Sequence, residues 1–183
     1  MTLGAIGLMA AARAAAAGDQ AGAAAPPFPS ARPADWIGTP VTWPDLRGRV
    51  VLLDVWTFAC SNCQATMPWL KDVQKRYAER GLALVGVHTP EFDFEHDRAS
   101  VAREVRRQGL DYPHLLDNAS AYWNALGNQY WPTVYLVDRC GKLRDRHVGE
   151  VHSGEESGRR VQARIEALLA EPACAGAEGG ERR

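Results

Sequence analysis

The chain is 183 residues long, enough for one domain with a substantial core. Hydrophobic residues make up 46% and charged residues 23%, the balance of an ordinary globular protein. A net charge of -1 with no basic cluster gives no reason to expect nucleic-acid binding, and no run of about 18 apolar residues offers a transmembrane span in a mature chain.

Residues 1–30 are rich in Ala, Gly and Pro and show no amphipathic pattern. Residues 2–10 resemble the short apolar region of a signal peptide, and Ala15-Ala16-Ala17 resembles a small-residue cleavage site. No Lys or Arg precedes the apolar run, and Arg13 interrupts its end. Residues 1–34 therefore read as a leader, a possible signal peptide, followed by a flexible Pro-containing linker. The domain is expected over residues 35–170 and a polar C-terminal tail over 171–183.

Residues 36–49 carry turn chemistry at Gly38-Thr39-Pro40 and Leu46-Arg47-Gly48-Arg49, which predicts a short edge strand or a lead-in hairpin. Residues 50–56 are apolar and β-branched except for Asp54, the pattern of a strand buried on both faces. Helical spacing follows from Ser61 to about Arg80, with Met67, Leu70, Val73 and Tyr77 on one face. Pro68 removes a backbone donor inside that helix and should kink it, and Gly81 is a natural stop.

Residues 82–87 form a second buried strand, with His88 to Phe92 as the loop beyond it. A charged amphipathic helix is expected from about Glu95 to Gln108, stopped at Gly109. A short strand over 112–117, a short helix over 119–126 and a strand over 133–137 come next. Residues 138–142 are a hairpin turn into an antiparallel strand over 143–148, and residues 155–170 are a last helix. Strands alternating with helices and ending in a hairpin and helix give an α/β fold: a central mixed sheet with an antiparallel edge hairpin and helices on both faces. Sites on such sheets lie beyond the carboxyl ends of parallel strands, where Cys60, His88 and Glu91 fall.

Cys60-Ser61-Asn62-Cys63 joins the first buried strand to its helix. A helix N-terminus leaves N–H groups unpaired and carries partial positive charge, so a Cys60 thiolate is stabilised there and its pKa falls. Cys63, one turn on, is placed to attack a mixed disulfide formed at Cys60. A structural zinc site would need two more regularly spaced ligands, and His88, His96, His114, His147 and His152 are scattered; no metal ligand set is expected.

Asp54-Val55-Trp56-Thr57-Phe58-Ala59-Cys60-Ser61-Asn62-Cys63, with Pro68 and Trp131-Pro132-Thr133, resembles the thioredoxin superfamily. The lead-in over 46–53 and the inserted strand–helix segment between about His88 and Asp117 are similar to its TlpA/ResA branch. Gly86-Val87-His88-Thr89-Pro90-Glu91-Phe92, Asp111-Tyr112-Pro113 and Gly127-Asn128-Gln129-Tyr130-Trp131-Pro132 are closest to the thioredoxin-like domain of DipZ-type proteins. The resemblance implies a thioredoxin-like fold and a thiol–disulfide oxidoreductase, reductant or isomerase, exchanging disulfides with protein substrates and recharged by a membrane electron donor. It implies Cys60 as nucleophile, Cys63 as resolving thiol and Asp54 as a buried carboxylate behind Cys63. It also implies a cis Pro132 against the cysteines, with Trp131 and Pro132 as a docking edge, and no cofactor beyond the redox-active pair. Ser61-Asn62 lacks the His of strongly oxidising relatives, and Thr66 stands where cytochrome-maturation relatives carry Glu.

Among its apolar neighbours, Asp54 is expected to be buried, with a raised pKa, and able to take the proton of Cys63. Trp56 and Trp131 flank the cysteines and can shape substrate contact, while Glu91 and His88 are candidates for the surrounding shell. Two other functions compete. Thr57 partly echoes the Thr-x-x-Cys of thiol peroxidases, though Leu53 stands where that motif has Pro. Cys60, Cys63 and His88 have the donor types of a non-enzymatic copper-binding module.

Cys140 and Cys174 remain. In an oxidising compartment the even count invites a structural disulfide, whereas in a reducing one these are free thiols. The strand over 143–148 carries the chain away from Cys140 by roughly 20 Å at about 3.3 Å per residue. The last helix returns it by roughly 24 Å at about 1.5 Å per residue, so Cys174 is expected beside Cys140. A bridge there favours an extracytoplasmic location, periplasmic or in the cell envelope.

Overall fold

The computed structural model describes residues 22–174. The signal-peptide segment and the tail beyond Cys174 lie outside the described residues. Six strands form one mixed sheet: β1 (Trp36–Ile37), β2 (Val50–Trp56), β3 (Leu82–His88), β4 (His114–Leu116), β5 (Thr133–Val137) and β6 (Leu143–Val148), in the order β1-β4-β3-β2-β5-β6. The helices are α1 (Ser61–Tyr77), α2 (Arg98–Gln108), α3 (Ala121–Ala125) and α4 (Glu156–Ala170).

β2 lies at the centre. It pairs in parallel with β3 over its whole length and antiparallel with β5 from Val51 to Val55. All seven residues of β2 and of β3 are buried, as continuous apolar runs with neighbours on both sides require. Alternation divides the side chains. Val50, Leu52, Leu82, Leu84, Val134 and Leu136 pack against α1, α2 and α4 on one face. Val51, Leu53, Val55, Val85, Tyr135 and Val137 pack on the other, beneath Tyr122 of α3 and the N-terminal segment.

α1 runs through Pro68 without a break to Tyr77, and a 3-10 turn over Ala78–Arg80 follows and stops at Gly81, whose φ of 101° is the left-handed conformation that glycine adopts without steric cost. α2 starts one turn later than expected. Asp97 is its cap, accepting from the Ser100 N–H, and residues 93–96 form a separate 3-10 turn that buries Glu95.

Two segments differ from expectation. The lead-in is an edge strand and not a hairpin: β1 pairs with β4 at the far edge of the sheet. The reason is Trp36, fully buried, whose indole N–H donates to the Ser30 carbonyl and whose own carbonyl accepts from Arg98. The segment expected as a flexible linker is a docked strap. Phe28 meets Trp36, Trp43 and Tyr122 at 5.4, 5.1 and 5.0 Å between ring centroids. Upstream, Ala24 bridges to Lys142, and Gly22 and Ala25 donate to the carbonyls of Leu143 and Gly141. The strap covers a sheet face that α3 is too short to cover alone, and it pairs the outer edge of the chain at Lys142 and Leu143, where β6 begins.

Cys140, in the β5–β6 turn, is disulfide-bonded to Cys174 across a Cα separation of 5.2 Å. Arg144 binds both Asp138 and Glu171 beside it, so the first residues of the expected tail are held against the sheet. A bridge closing a loop of 34 residues contributes about 4 kcal/mol by limiting the unfolded chain.

Candidate active site

The site sits where β2 and β3 end. Cys60 is the cap of α1, and its Sγ accepts the Cys63 backbone N–H at 3.1 Å. Cys60 and Cys63 form a disulfide with Cα atoms 5.3 Å apart. Cys60 is half-buried, whereas Cys63 is only 2% exposed. An incoming sulfur can therefore reach Cys60 but not Cys63, and after reduction the N–H now facing Cys60 Sγ stabilises a thiolate there.

A buried polar layer lies on the face of the sheet that α1 covers. Asp54 and Trp56 of β2 register with Gly86 and His88 of β3, and Gly86 in turn with His114 of β4. Gly86 has to be glycine: a Cβ there would lie 2.0 Å from His114 Nδ1. The His114 ring occupies that space, and its Nδ1 accepts the Trp56 indole N–H at 3.2 Å. Asp54 is 1% exposed and accepts the Tyr112 hydroxyl at 3.2 Å. Burial pushes the Asp54 carboxyl up to about 7, against the lowering effect of that hydrogen bond. Burial likewise pushes His88 down to about 4 and His114 to about 3, so both imidazoles are neutral at pH 7.

Glu95, in sequence the start of a charged helical stretch, accepts four hydrogen bonds in the structure. Its Oε1 accepts the Thr57 hydroxyl and the Ala59 N–H, and its Oε2 accepts the N–H groups of Glu91 and Phe92. Burial alone would raise the Glu95 carboxyl, but the four donors outweigh it and hold it below the usual range. The carboxylate ties the segment leading into Cys60 to the loop after β3. A signal for this existed in the sequence: Asp97 with Ser100 marks a helix cap, which leaves Glu95 outside α2.

The other expected residues fall as follows. Glu91 is exposed, and it is its backbone, not its carboxylate, that enters the network. His88 is fully buried, with Nε2 3.4 Å from the Thr57 hydroxyl and its ring stacked on Phe58 at 5.7 Å. Trp56 is 1% exposed, so it supports the site from below and offers no surface to a substrate. Trp131 precedes a cis peptide bond to Pro132. Its indole N–H donates to the Thr89 carbonyl at 3.1 Å, and the Asp117 carboxylate holds Thr89 in turn. Continuing the β2–β5 register past Thr133 sets Pro132 opposite Trp56, four residues before Cys60. Tyr112, His114 and Thr57 complete the layer. Among the described residues, no three His, Cys, Asp or Glu side chains gather as a metal site.

The Redoxin family model matches residues 20–161. Protein DipZ of Mycobacterium bovis is 42% identical over 119 residues, 63% of this chain and 17% of that protein. Thiol-disulfide oxidoreductase ResA of Bacillus anthracis is 28% identical over 116 residues, 63% of this chain and 64% of that protein. The chain thus spans under a fifth of the length of DipZ and less than two thirds of ResA. The crystal structure of a putative thiol:disulfide interchange protein DsbE from Chlorobium tepidum superposes with a TM-score of 0.70 at 24% identity, covering 81% of this chain and 97% of that one. The fold is that of the thioredoxin-like proteins, its Cys-x-x-Cys disulfide stands at the N-terminus of α1, and the chain belongs to the Redoxin family.

Proposed function

We propose that the protein is a thiol–disulfide oxidoreductase acting on protein thiols and disulfides. The observation that carries this reading is the asymmetry of the pair: Cys60 is accessible and bonded to a helix N–H, while Cys63 is buried one turn below it. In the reductive direction the Cys60 thiolate attacks one sulfur of a substrate disulfide, and the other leaves as a thiolate. Asp54, ionised in part at neutral pH, takes the proton of Cys63. The Cys63 thiolate then attacks Cys60 Sγ, the second substrate sulfur leaves, and two electrons have passed from the protein to the substrate. The cis Pro132 and the backbone of Trp131 offer an edge for an extended substrate, because a proline contributes no backbone donor of its own.

Ser61-Asn62 between the cysteines favours a reductant or isomerase, recharged by a membrane electron donor. The Cys140–Cys174 bridge supports an extracytoplasmic location, since such bonds persist where thiols are not kept reduced. Among the described residues, no helix is long and apolar enough to cross a membrane. The peroxidase reading is the weaker one, because the Thr57 hydroxyl is committed to Glu95. The copper reading needs His88 turned toward the cysteines, but its ring lies against Thr57 and Phe58.

The reduction potential of the Cys60–Cys63 pair tests the direction. A value near or below about -270 mV is expected for a reductant, and one near about -120 mV would make the protein an oxidant.

A further inference from the structure

Exposed aromatic side chains are concentrated at one place. Of the four exposed large hydrophobic residues among those described, Phe92 (48% exposed) and Phe94 (59%) belong to the loop after β3. Their rings stack at 5.6 Å and 5° between planes. Phe94 meets Phe58, two residues before the nucleophile, at 5.8 Å. Phe58 in turn rests on the buried His88 ring. The three phenylalanines form a continuous ridge leading away from Cys60.

This ridge is held in register with the nucleophile. One oxygen of Glu95 binds Thr57 and Ala59 on the Cys60 side, and the other binds the N–H groups of Glu91 and Phe92 on the ridge side. Exposing two stacked aromatic rings is unfavourable in water, and a buried, four-bonded carboxylate fixes them there. The rim is acidic: Glu91 and Asp93 are exposed on either side of Phe92. Arg98, the nearest Lys or Arg along the chain, is tied to the carbonyls of Ala34 and Trp36.

We propose that the Phe58–Phe94–Phe92 ridge selects the substrate: it docks an extended polypeptide segment that carries an apolar side chain and a basic residue next to its reactive cysteine. The proposal rests on the thiol–disulfide reading above. The occupant follows from continuity and charge. A chain whose sulfur reaches Cys60 crosses Phe58 if it runs toward the β3 loop, its apolar side chain lies on the ridge, and its cation meets Glu91 and Asp93. The apolar contact slows dissociation of the encounter complex, while the solvent-open rim charges act mainly on its association rate.

The test uses symmetric disulfides of three short peptides, with Phe and Lys, Phe and Glu, or Gly on both sides of the cysteine, and hydroxyethyl disulfide as a small control. Reduced protein supplies both electrons from Cys60 and Cys63, so each turnover releases two peptide thiols. The Phe/Lys peptide is expected to react about tenfold faster than the Gly peptide, equivalent to about 1.4 kcal/mol, and faster than the Phe/Glu peptide. Phe92→Ser with Phe94→Ser should reduce that preference to within about twofold, leaving hydroxyethyl disulfide unchanged. Glu91→Lys with Asp93→Lys should invert the order of the Phe/Lys and Phe/Glu peptides. A preference that survives the Phe substitutions overturns the proposal, as does an equal fall for all four substrates. Protein that reduces hydroxyethyl disulfide without any peptide preference keeps the redox chemistry and loses the ridge; protein inert to it loses both. A concentration-dependent dimer abolished by the Phe substitutions would put a second copy on the ridge and also overturn the proposal.

Discussion

Replacing Asp54 by Asn is expected to make the protein more stable above pH 7 and slower in turnover. The native carboxyl is raised from 3.8 to about 7 by burial. The folded state therefore keeps a proton that the unfolded chain loses above about pH 4. Stability falls as pH rises from about 4 to about 7 and levels off beyond, where the folded protein carries a buried charge. The full shift corresponds to on the order of 4 kcal/mol at about 1.4 kcal/mol per unit. Asn has nearly the same shape, can still accept the Tyr112 hydroxyl, and carries no charge at any pH. Denaturant unfolding of the oxidised proteins should show the variant ahead by up to a few kcal/mol at pH 8 and no difference near pH 3.5. In turnover the amide cannot take the Cys63 proton, and resolution of the mixed disulfide should slow by about ten- to a hundredfold. Unchanged resolution at pH 7 would remove Asp54 from the mechanism.

Glu95→Gln has the opposite sign. A carboxylate accepts at both oxygens, whereas Gln presents an NH2 group at one end. Whichever way the amide turns, two donors that now face Glu95 meet another donor, either Thr57 and Ala59 or Glu91 and Phe92. The group is fully buried, so water cannot make up the loss, and the cost should be about 3 kcal/mol. The Glu95 pKa lies below the ordinary value in the folded state, so its stabilisation is present above about pH 4.5 and is lost as pH falls through the folded pKa. The gap between wild type and variant should therefore be widest near neutral pH and close in acid. An equal stability of the two proteins at pH 7 would show that Glu95 does not fasten the loop to the active-site segment.

Much of this architecture can be read in the chain. β2, β3 and β5 announce themselves as continuous apolar runs, because strands with neighbours on both sides have no solvent face to mark with polar residues. Asp54 stands out because it is the one charge in such a run. The strap over 22–33 was hidden by its composition: Ala and Pro read as linker, and only Phe28 hints that it packs. Glu95 was hidden by its neighbours, since a charged, roughly helical stretch does not distinguish a buried carboxylate from a solvated one. His114 follows from Gly86, a glycine inside a buried strand that signals a close approach, but the partner is set by parallel pairing with a residue 28 positions on. Trp56 shares the α1-covered face of the sheet with the cysteines, but nearness in sequence to Cys60 says nothing about depth, and its indole is buried.

The central claim is that Cys60 attacks and Cys63 resolves. Single cysteine variants incubated with a protein disulfide substrate test it most directly, read as covalent complexes on non-reducing gels and by mass spectrometry. Cys63→Ser should accumulate mixed disulfides through Cys60, because the attack succeeds and no second thiol releases the substrate. Cys60→Ser should accumulate few, because Cys63 is buried and out of reach. Trapping through Cys63 in the Cys60→Ser protein, with little in Cys63→Ser, would contradict the account.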